Sequence, residues 1–525
     1  MTVQPRPLVA AALIAGLLSL VVSALGVSIR AADVGAAAVD EPQYLLTAAS
    51  LWEDGDLDIA NQRAQGSASQ YYDATLPVQT SVLAGGERIS PHDPLLPVVL
   101  APAVGLGGYI GAKSVMALMA GLLGAATAWV VGTRWAVSPV LAGSVAAVAG
   151  VSAPLAIYGN QVYPEVPAAL AVVIAVGAIV PPLGGVATSR STVIRAVVLV
   201  LAVSALPWLA IKYVLVAGAL AAVGLWRLRF TDHRLVAAVI AAFAVSGAIW
   251  LAAHRVLYGG WTAYATGDHF QSSGEFGAVG FSPDYLGRSV RLIGLLTDQD
   301  YGLIAWAPVW LLAIPAAAFL AGLHRATPTT SSSAASAPSE ACSASAISVL
   351  AFPLLVGWLT ATFVALTMHG FWSPGRQVVV VLPLAAMLIA VALSQVRARA
   401  PRTTGVAVFV AAGTLAVTSV SIMGWVLVAG HQGTLTWVGA PNLSPPAPVV
   451  AMRSILPNYR DLGPGAWVLH GLWVGAAILM AVGSWLAGRR LCAPDPRTDE
   501  AHSDDAQTNA GHPASSHAET KELTS

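Results

Sequence analysis

The sequence predicts an all-α integral membrane protein with about twelve transmembrane helices and two interfacial helices in its first external loop. Apolar residues make up 56% of the 525 residues, charged residues make up only 10%, and the mean hydropathy is +0.71. This composition excludes a soluble protein. The 26 basic and 26 acidic residues give a formal net charge of zero. A nucleic-acid partner is therefore not expected.

Apolar runs define the predicted spans, because a membrane-crossing helix needs about 20 mainly apolar residues. The runs are residues 8–29, 109–131, 138–157, 166–183, 193–207, 210–226, 235–256, 302–322, 346–367, 377–394, 404–428 and 466–488. Leu206-Pro207-Trp208 separates the fifth run from the sixth and predicts a tight hairpin, since proline interrupts helical hydrogen bonding. The first run has no convincing cleavage site before Asp33, which predicts an uncleaved helix.

Arginine placement predicts the orientation in the plasma membrane, because positively charged loops are retained in the cytosol. With both termini inside, the inner loops and N-terminus carry 13 arginines against two acids, whereas the first external loop, 31–108, holds ten of the 26 acids. The predicted organisation is a membrane module (1–256), an external loop (257–301), C-terminal helices (302–490) with a cytosolic linker at 326–345, and a disordered cytosolic tail (491–525). Cys342 and Cys492 both fall in cytosolic segments and suggest neither a disulfide framework nor a metal cluster.

The first half of the external loop contains adjacent acids in the sequence Val39-Asp40-Glu41-Pro42-Gln43-Tyr44. Apolar residues then recur at helical spacing up to Trp52, which predicts an amphipathic helix on the outer membrane face. Neighbouring helical residues diverge by about 100°, so we expect one acid to reach inward while the other supports it. The alternative is that both acids merely stabilise the positive N-terminus of the helix.

The second half of the same loop contains Ser90-Pro91-His92-Asp93-Pro94 and then an apolar stretch, 95–107, that ends in Gly-Gly. This stretch is too short to cross a bilayer, so it predicts a second interfacial helix.

An Asp-Glu pair, two interfacial helices and another acid, Glu165, in the next external turn resemble the GT-C superfamily of membrane glycosyltransferases. The resemblance is strongest to the lipid A aminoarabinose transferases and the family-39-like protein O-mannosyltransferases, and it is best over residues 1–256. The supporting motifs are Tyr158-Gly159-Asn160-Gln161-Val162-Tyr163-Pro164-Glu165, Leu206-Pro207-Trp208 with Lys212, Asp298-Gln299-Asp300-Tyr301-Gly302-Leu303, and Trp372-Ser373-Pro374-Gly375-Arg376. The chain has no Trp-Trp-Asp motif, so a peptide-sequon acceptor is not expected.

This resemblance implies a hexosyl- or pentosyltransferase that takes a sugar from a polyprenyl-phosphate donor at the outer leaflet. The acceptor would be a hydroxyl group of a glycan, a glycolipid or a protein. Asp40 is implied as the general base, with Glu41 orienting the acceptor or positioning Asp40. Glu165 is implied as a second carboxylate that orients the acceptor or holds a metal. No cofactor is certain from the sequence, and a divalent metal is the candidate, with its ligands unknown.

Two cations are candidates to bind the donor phosphate. Lys212, near the outer end of a membrane helix, needs an anionic partner or must extend to the interface. Arg376 can bind phosphate through two nitrogens, and Trp372 beside it could stack on a sugar, although the two also fit an interfacial anchor. The other predicted substrate-binding residues are Tyr44, His92, Tyr163, Asp300 and Tyr301. For His92, a solvated or hydrogen-bonded role is the alternative. For Asp300 and Tyr301 the alternative is helix capping.

Two other functional classes fit twelve spans. One is a transporter or lipid flippase, and the other is a non-catalytic assembly factor that docks partners on the acidic loop. Against a transporter, the predicted spans contain almost no ionisable residues of the kind that mark ion pathways.

Overall fold

A computed structural model describes residues 5–79, 81–82, 85–183, 188–229, 231–261, 285–325, 344–364, 373–438 and 447–491. Regular structure in these residues is almost entirely helical, as the sequence predicts. The strands found there are two antiparallel two-residue segments, Ser81–Val82 and Arg88–Ile89.

The first half of the chain contains ten of the described helices. They are α1 (Pro5–Leu25), α2 (Glu41–Glu53), α3 (Ala60–Ala64), α4 (Leu95–Trp135), α5 (Pro139–Gly150), α6 (Leu155–Tyr158), α7 (Glu165–Ile179), α8 (Ser189–Leu209), α9 (Val214–Leu228) and α10 (His233–Tyr258). The second half contains α11 (Tyr285–Arg288), α12 (Arg291–Thr297), α13 (Leu303–Trp306), α14 (Ala313–Arg325), α15 (Ala344–Phe363), α16 (Leu382–Arg399), α17 (Arg402–His431), α18 (Ala447–Arg453) and α19 (Pro464–Arg490). Short 3₁₀ turns are formed by Ser67–Gln70, Ile211–Tyr213, Pro308–Leu312 and Arg376–Val378.

Nine helices in the described parts of the chain are long and apolar enough to cross a membrane: α1, α4, α8, α9 with its preceding turn, α10, α15, α16, α17 and α19. Three shorter apolar helices are Pro139–Gly150, Glu165–Ile179 and Pro308–His324. Each predicted apolar run overlaps one of these segments. The chain is therefore a multi-pass membrane protein, and its predicted runs correspond to nine long and three short apolar helices.

Helix breaks differ in part from the prediction. The hairpin predicted at 206–208 is present but lies slightly later in the chain. Helix α8 continues through Pro207 to Leu209, the break comes at Ala210, with φ −167° and ψ 138°, and α9 packs against α8. Proline has a φ compatible with a helix and removes only one hydrogen bond there, so the helix tolerates it near its end. The predicted break after 95–107 is present, since Gly108 interrupts α4 with φ 57° and ψ −150°.

Close packing of small residues joins α1 to α4 and α5. A Cβ atom added to Gly150 would lie 1.9 Å from Ser19 Oγ, and one added to Gly124 would lie 2.5 Å from the same atom. Small residues allow helix backbones in a membrane to approach this closely. Helix α2 packs against α4, and the residues immediately before α2 lie close to the first residue of α7.

Candidate functional site

Four charged side chains from distant parts of the sequence meet near the start of α2. Arg376 donates hydrogen bonds from Nη2 to Asp40 Oδ2 at 2.9 Å and from Nε to Glu165 Oε1 at 2.8 Å. Lys212 Nζ donates to the same Glu165 oxygen at 2.7 Å. We call Asp40, Glu165, Lys212 and Arg376 the central cluster. The side chains of Asp40, Glu165, Lys212 and Arg376 are 14%, 1%, 20% and 6% exposed, respectively. The two carboxylates and two cations are therefore largely buried, and Lys212 and Asp40 are the most exposed of the four.

Each member of the central cluster lies at the end of a helix or in a turn. Asp40 precedes α2, and Glu165 is the first residue of α7, where a carboxylate is favoured by the helix dipole. Lys212 belongs to the 3₁₀ turn after α8. Arg376 begins a second 3₁₀ turn that follows Gly375, whose φ of 77° is readily adopted only by glycine. The fold thus brings two helix N-termini and two 3₁₀ turns together at one site.

The carboxyl group of Asp40 is held in its charged form. Burial opposes its ionisation, but the nearby charges of Arg376 and His92 and the hydrogen bond from Arg376 outweigh burial and lower the pKa of Asp40 below its ordinary value of 3.8. Asp40 makes no side-chain hydrogen bond that caps α2. Its contacts are therefore those of a cluster member and not those of a helix cap.

The carboxylate of Glu41 binds backbone N–H groups. It accepts hydrogen bonds from the backbone N–H groups of Ala38 at 3.1 Å and Val162 at 2.8 Å. Burial raises the pKa of Glu41 despite the opposing effects of Lys113 and these two hydrogen bonds. Glu41 thereby ties the segment before α2 to the segment before α7, which together carry Asp40 and Glu165.

Replacing Glu41 with alanine is expected to destabilise the protein by about 2 kcal/mol, because two backbone N–H groups would lose their buried acceptor. The Glu41→Gln variant should be intermediate, since its amide oxygen can accept only on one side. Thermal unfolding in detergent micelles measures the effect. Wild-type stability in Glu41→Ala would show that these hydrogen bonds contribute little.

Aromatic side chains line the central cluster. The Arg376 guanidinium lies 4.1 Å from the centroid of the Tyr163 ring, a cation–π contact, and Tyr163 donates a hydrogen bond from its hydroxyl to the Ala38 carbonyl oxygen at 3.3 Å. Tyr44 stacks on His92 with ring centroids 4.7 Å apart. Three predicted substrate-binding residues, Tyr44, His92 and Tyr163, therefore lie close to Asp40 or Arg376.

Asp300 and Tyr301 belong to a different group of residues. Their backbone N–H groups donate to Asp298 Oδ1 at 2.9 and 2.6 Å, in a turn that leads into α13. Among the described residues, no hydrogen bond or ion pair connects either residue to the central cluster. Arg453 lies nearby over the Trp306 ring at 4.5 Å, with Nε and Nη2 buried and without a hydrogen-bond partner. Trp372 lies outside the described residues.

Several polar residues around the central cluster were missed from the sequence. Gln377 accepts a hydrogen bond from Lys212 at 3.3 Å, and its position next to Arg376 was the available signal. Lys113 and His254 lie inside apolar helices and are buried, and an ionisable group inside a membrane helix is itself a signal of function. Lys113 donates to the Ala36 carbonyl oxygen at 2.6 Å, and His254 Nε2 lies 2.7 Å from Asp93 Oδ1.

Among the residues that the structure describes, no group of three or more His, Cys, Asp or Glu side chains could hold a metal ion. The positive charge closest to the carboxylates of the central cluster is supplied by Arg376 and Lys212.

The molecule is thus a polytopic membrane protein with a buried, charge-balanced cluster at the ends of its helices.

No family model and no curated protein matches the sequence. ArnT from Cupriavidus metallidurans is similar in structure, both bound to undecaprenyl phosphate (16% identity, TM-score 0.44) and in the apo state (15%, 0.45). In each comparison the alignment covers 91% of this chain and 75% of that one. The apo form of the Archaeoglobus fulgidus oligosaccharyltransferase is similar at 14% identity and a TM-score of 0.47, over 89% of this chain and 59% of that one. With TM-scores below 0.5, these similarities do not assign an activity to this chain.

Proposed function

We propose that this protein transfers a sugar from a polyprenyl-phosphate donor to an acceptor hydroxyl at the outer face of the plasma membrane. The observation that carries the proposal is the central cluster, in which a charged carboxylate, Asp40, lies beside two cations at the ends of membrane helices. Sugar transfer from a lipid phosphate needs a proton acceptor and positive charge at the phosphate. Both are present within one set of contacting side chains.

Arg376 and Lys212 are proposed to bind the donor phosphate. Both donate to the same oxygen of Glu165, so their charges converge on one small volume. Arginine presents two parallel N–H groups that match phosphate geometry, and lysine adds a compact charge. The polyprenyl chain would remain in the bilayer beside the apolar helices.

Asp40 is proposed to be the general base. Arg376 holds this carboxylate in the free protein. A phosphate that engages Arg376 would compete for the guanidinium and release Asp40 toward the acceptor. The acceptor oxygen then forms a bond to the anomeric carbon while its proton passes to Asp40. The bond from that carbon to the phosphate oxygen breaks, and the electron pair leaves with the polyprenyl phosphate.

Glu165 is proposed to orient the acceptor. Its Oε1 accepts from both cations, whereas Oε2 is buried and has no hydrogen-bond partner. A buried carboxylate oxygen without a donor is unfavourable, and a second hydroxyl of the acceptor, not the attacking one, would supply the missing hydrogen bond. If a divalent metal is required, the same oxygen is its proposed ligand.

The remaining predicted residues are proposed to shape the substrate site. Tyr44, His92 and Tyr163 would form the wall beside Asp40, and Trp372 would stack on the sugar. Asp300 and Tyr301 would contact a more distant part of the acceptor, whose class is a glycan, a glycolipid or a protein.

The direct test uses the purified full-length protein in lipid nanodiscs, a panel of radiolabelled undecaprenyl-phosphate sugars, and a membrane extract as the source of acceptors. Covalent transfer of label to an acceptor supports the proposal. Movement of the labelled lipid across vesicle membranes, without any new glycosidic bond, would instead identify a flippase and overturn it.

Lys212→Ala is expected to raise the donor KM about tenfold or more, because it removes a charge-assisted contact to the phosphate. The acceptor KM should change much less, because Glu165 also loses Lys212 but keeps the hydrogen bond from Arg376. Initial rates at varied donor and acceptor concentrations measure the two constants. Arg255→Ala, which removes an exposed cation at the end of α10, is the control. An equal rise in both constants would indicate a structural role for Lys212.

A further inference from the structure

Asp93 contacts the turn that carries Lys212. Its Oδ2 accepts a hydrogen bond from the backbone N–H of Ile211 at 2.9 Å, and its Oδ1 lies 2.7 Å from Nε2 of His254. Asp93 and His254 are both buried. We infer that Asp93 and His254 form a positioning pair that fixes Lys212 for the donor phosphate. This inference rests on the proposed function and adds two residues to it.

The turn at Ile211–Tyr213 depends on an outside acceptor. Ala210 leaves α8 in an extended conformation, so Ile211 starts a new turn whose first N–H group has no partner within the helix. Asp93, 118 residues earlier in the sequence, supplies that acceptor. Because Lys212 follows directly, the Asp93 hydrogen bond fixes the backbone from which the ammonium group reaches Glu165.

His254 is locked in turn by contacts on both ring nitrogens. Nδ1 lies 2.8 Å from the Trp250 carbonyl oxygen, which can only accept, so Nδ1 carries a hydrogen. Nε2 faces the Asp93 carboxyl group, and a hydrogen between Nε2 and Oδ1 completes the second contact. The rings of Trp208, Trp250 and Tyr258 surround the imidazole, with centroids 5.7, 4.0 and 5.1 Å away. His254 therefore holds Asp93 in one orientation.

The same end of α10 also reaches the Asp40 side of the site. The Tyr258 hydroxyl donates to the His92 carbonyl oxygen at 2.8 Å, and the His92 ring stacks on Tyr44. The adjacent residues His92 and Asp93 thus connect α10 to both the base side and the donor side of the site. Small displacements of reacting groups reduce rates strongly, so this connection sets a spacing that matters for transfer.

The experiment measures binding of undecaprenyl phosphate to the purified full-length protein in detergent micelles. Asp93→Ala is expected to weaken binding about tenfold, because the Lys212 turn loses its anchor. Asp93→Asn should stay within about threefold of wild type. Its oxygen can still accept from Ile211, and its amide can donate to His254 in the neutral form protonated on Nδ1.

Ile211→Pro tests the anchor if Asp93→Ala does not fold. It removes the N–H group that donates to Asp93 and replaces the isoleucine side chain by a proline ring. An extended residue followed by proline at the start of a turn is a favourable arrangement. It should weaken binding as much as Asp93→Ala.

Ser419→Ala is the matched control, because Ser419 Oγ also accepts a buried backbone N–H between distant segments, from Val309 at 2.9 Å. It should lower thermal stability without weakening lipid binding.

Lys212→Ala separates the two proposals. If it binds undecaprenyl phosphate with wild-type affinity, the phosphate role of Lys212 fails and this inference fails with it. If Lys212→Ala weakens binding while Asp93→Ala and Ile211→Pro do not, only the positioning role is overturned. Equal weakening by Asp93→Asn and Asp93→Ala, or by Ser419→Ala, would also overturn it.

Discussion

Asp40→Asn is expected to lower the rate of sugar transfer by about 10²- to 10⁴-fold while leaving the amount of folded protein unchanged. Asparagine has the same shape and can still accept the hydrogen bond from Arg376, but it cannot take a proton from the acceptor hydroxyl. The turnover number with a labelled polyprenyl-phosphate sugar measures the loss, and size-exclusion chromatography measures the folded fraction. Turnover close to that of the wild type would exclude Asp40 as the base.

Asp33→Asn is the matched control, since Asp33 is an exposed acid in the same loop. The pH dependence gives a second readout. The pKa of Asp40 lies below 3.8, so Asp40 stays ionised above that pH and its pairing with Arg376 stabilises the fold there. Both the charge and this stability are lost as the pH falls through the lowered pKa. In the free enzyme, loss of kcat/KM through protonation of Asp40 should therefore appear only below pH 3.8.

Arg376→Ala is expected to destabilise the fold by about 3–5 kcal/mol and to remove detectable binding of undecaprenyl phosphate. The guanidinium pairs with Asp40 and Glu165 together, and removing one partner from a buried ion pair leaves uncompensated charge. Arg376→Lys should also be weak, because one ammonium group lacks the planar fork that donates in two fixed directions. Thermal unfolding and lipid binding are the measurements.

A double variant separates the two effects of Arg376. Adding Asp40→Asn to Arg376→Ala removes the charge that Arg376 leaves behind, since Glu165 keeps its ion pair with Lys212. Part of the lost stability should therefore return while lipid binding stays absent. If Arg376→Ala alone is stable and binds the lipid normally, Arg376 is an interfacial anchor and not a phosphate ligand.

The residues of the central cluster could be named from the sequence because each carries a local signal. Asp40 follows the first span, Glu165 stands in a short turn between two apolar runs, and Lys212 and Arg376 are cations at the ends of apolar runs. Hydropathy alone also predicted the helical class. The contacts among the residues of the central cluster could not be predicted, since Arg376 is 336 residues from Asp40 and 211 from Glu165 in the sequence.

Other features depended on three-dimensional packing and had no sufficient local signal. Asp93 is one of ten acids in its loop, and it is distinguished by its contacts with Ile211 and His254, 118 and 161 residues away. Glu41 and Asp40 are adjacent and chemically alike, and their different surroundings separate them. The end of α8 was misplaced because proline weakens a helix without always ending it.

The long separation between the partners of the central cluster also has a consequence for biosynthesis. Asp40 and Glu165 are made and inserted well before Arg376 leaves the ribosome, so an incomplete chain holds two carboxylates without their main counterion. Such a chain gains little from burying that region, because unpaired charges resist transfer out of water. The first membrane helices are therefore expected to assemble around a hydrated gap, which closes only when the turn after Gly375 arrives. The site would then be completed only after 376 of the 525 residues have been made.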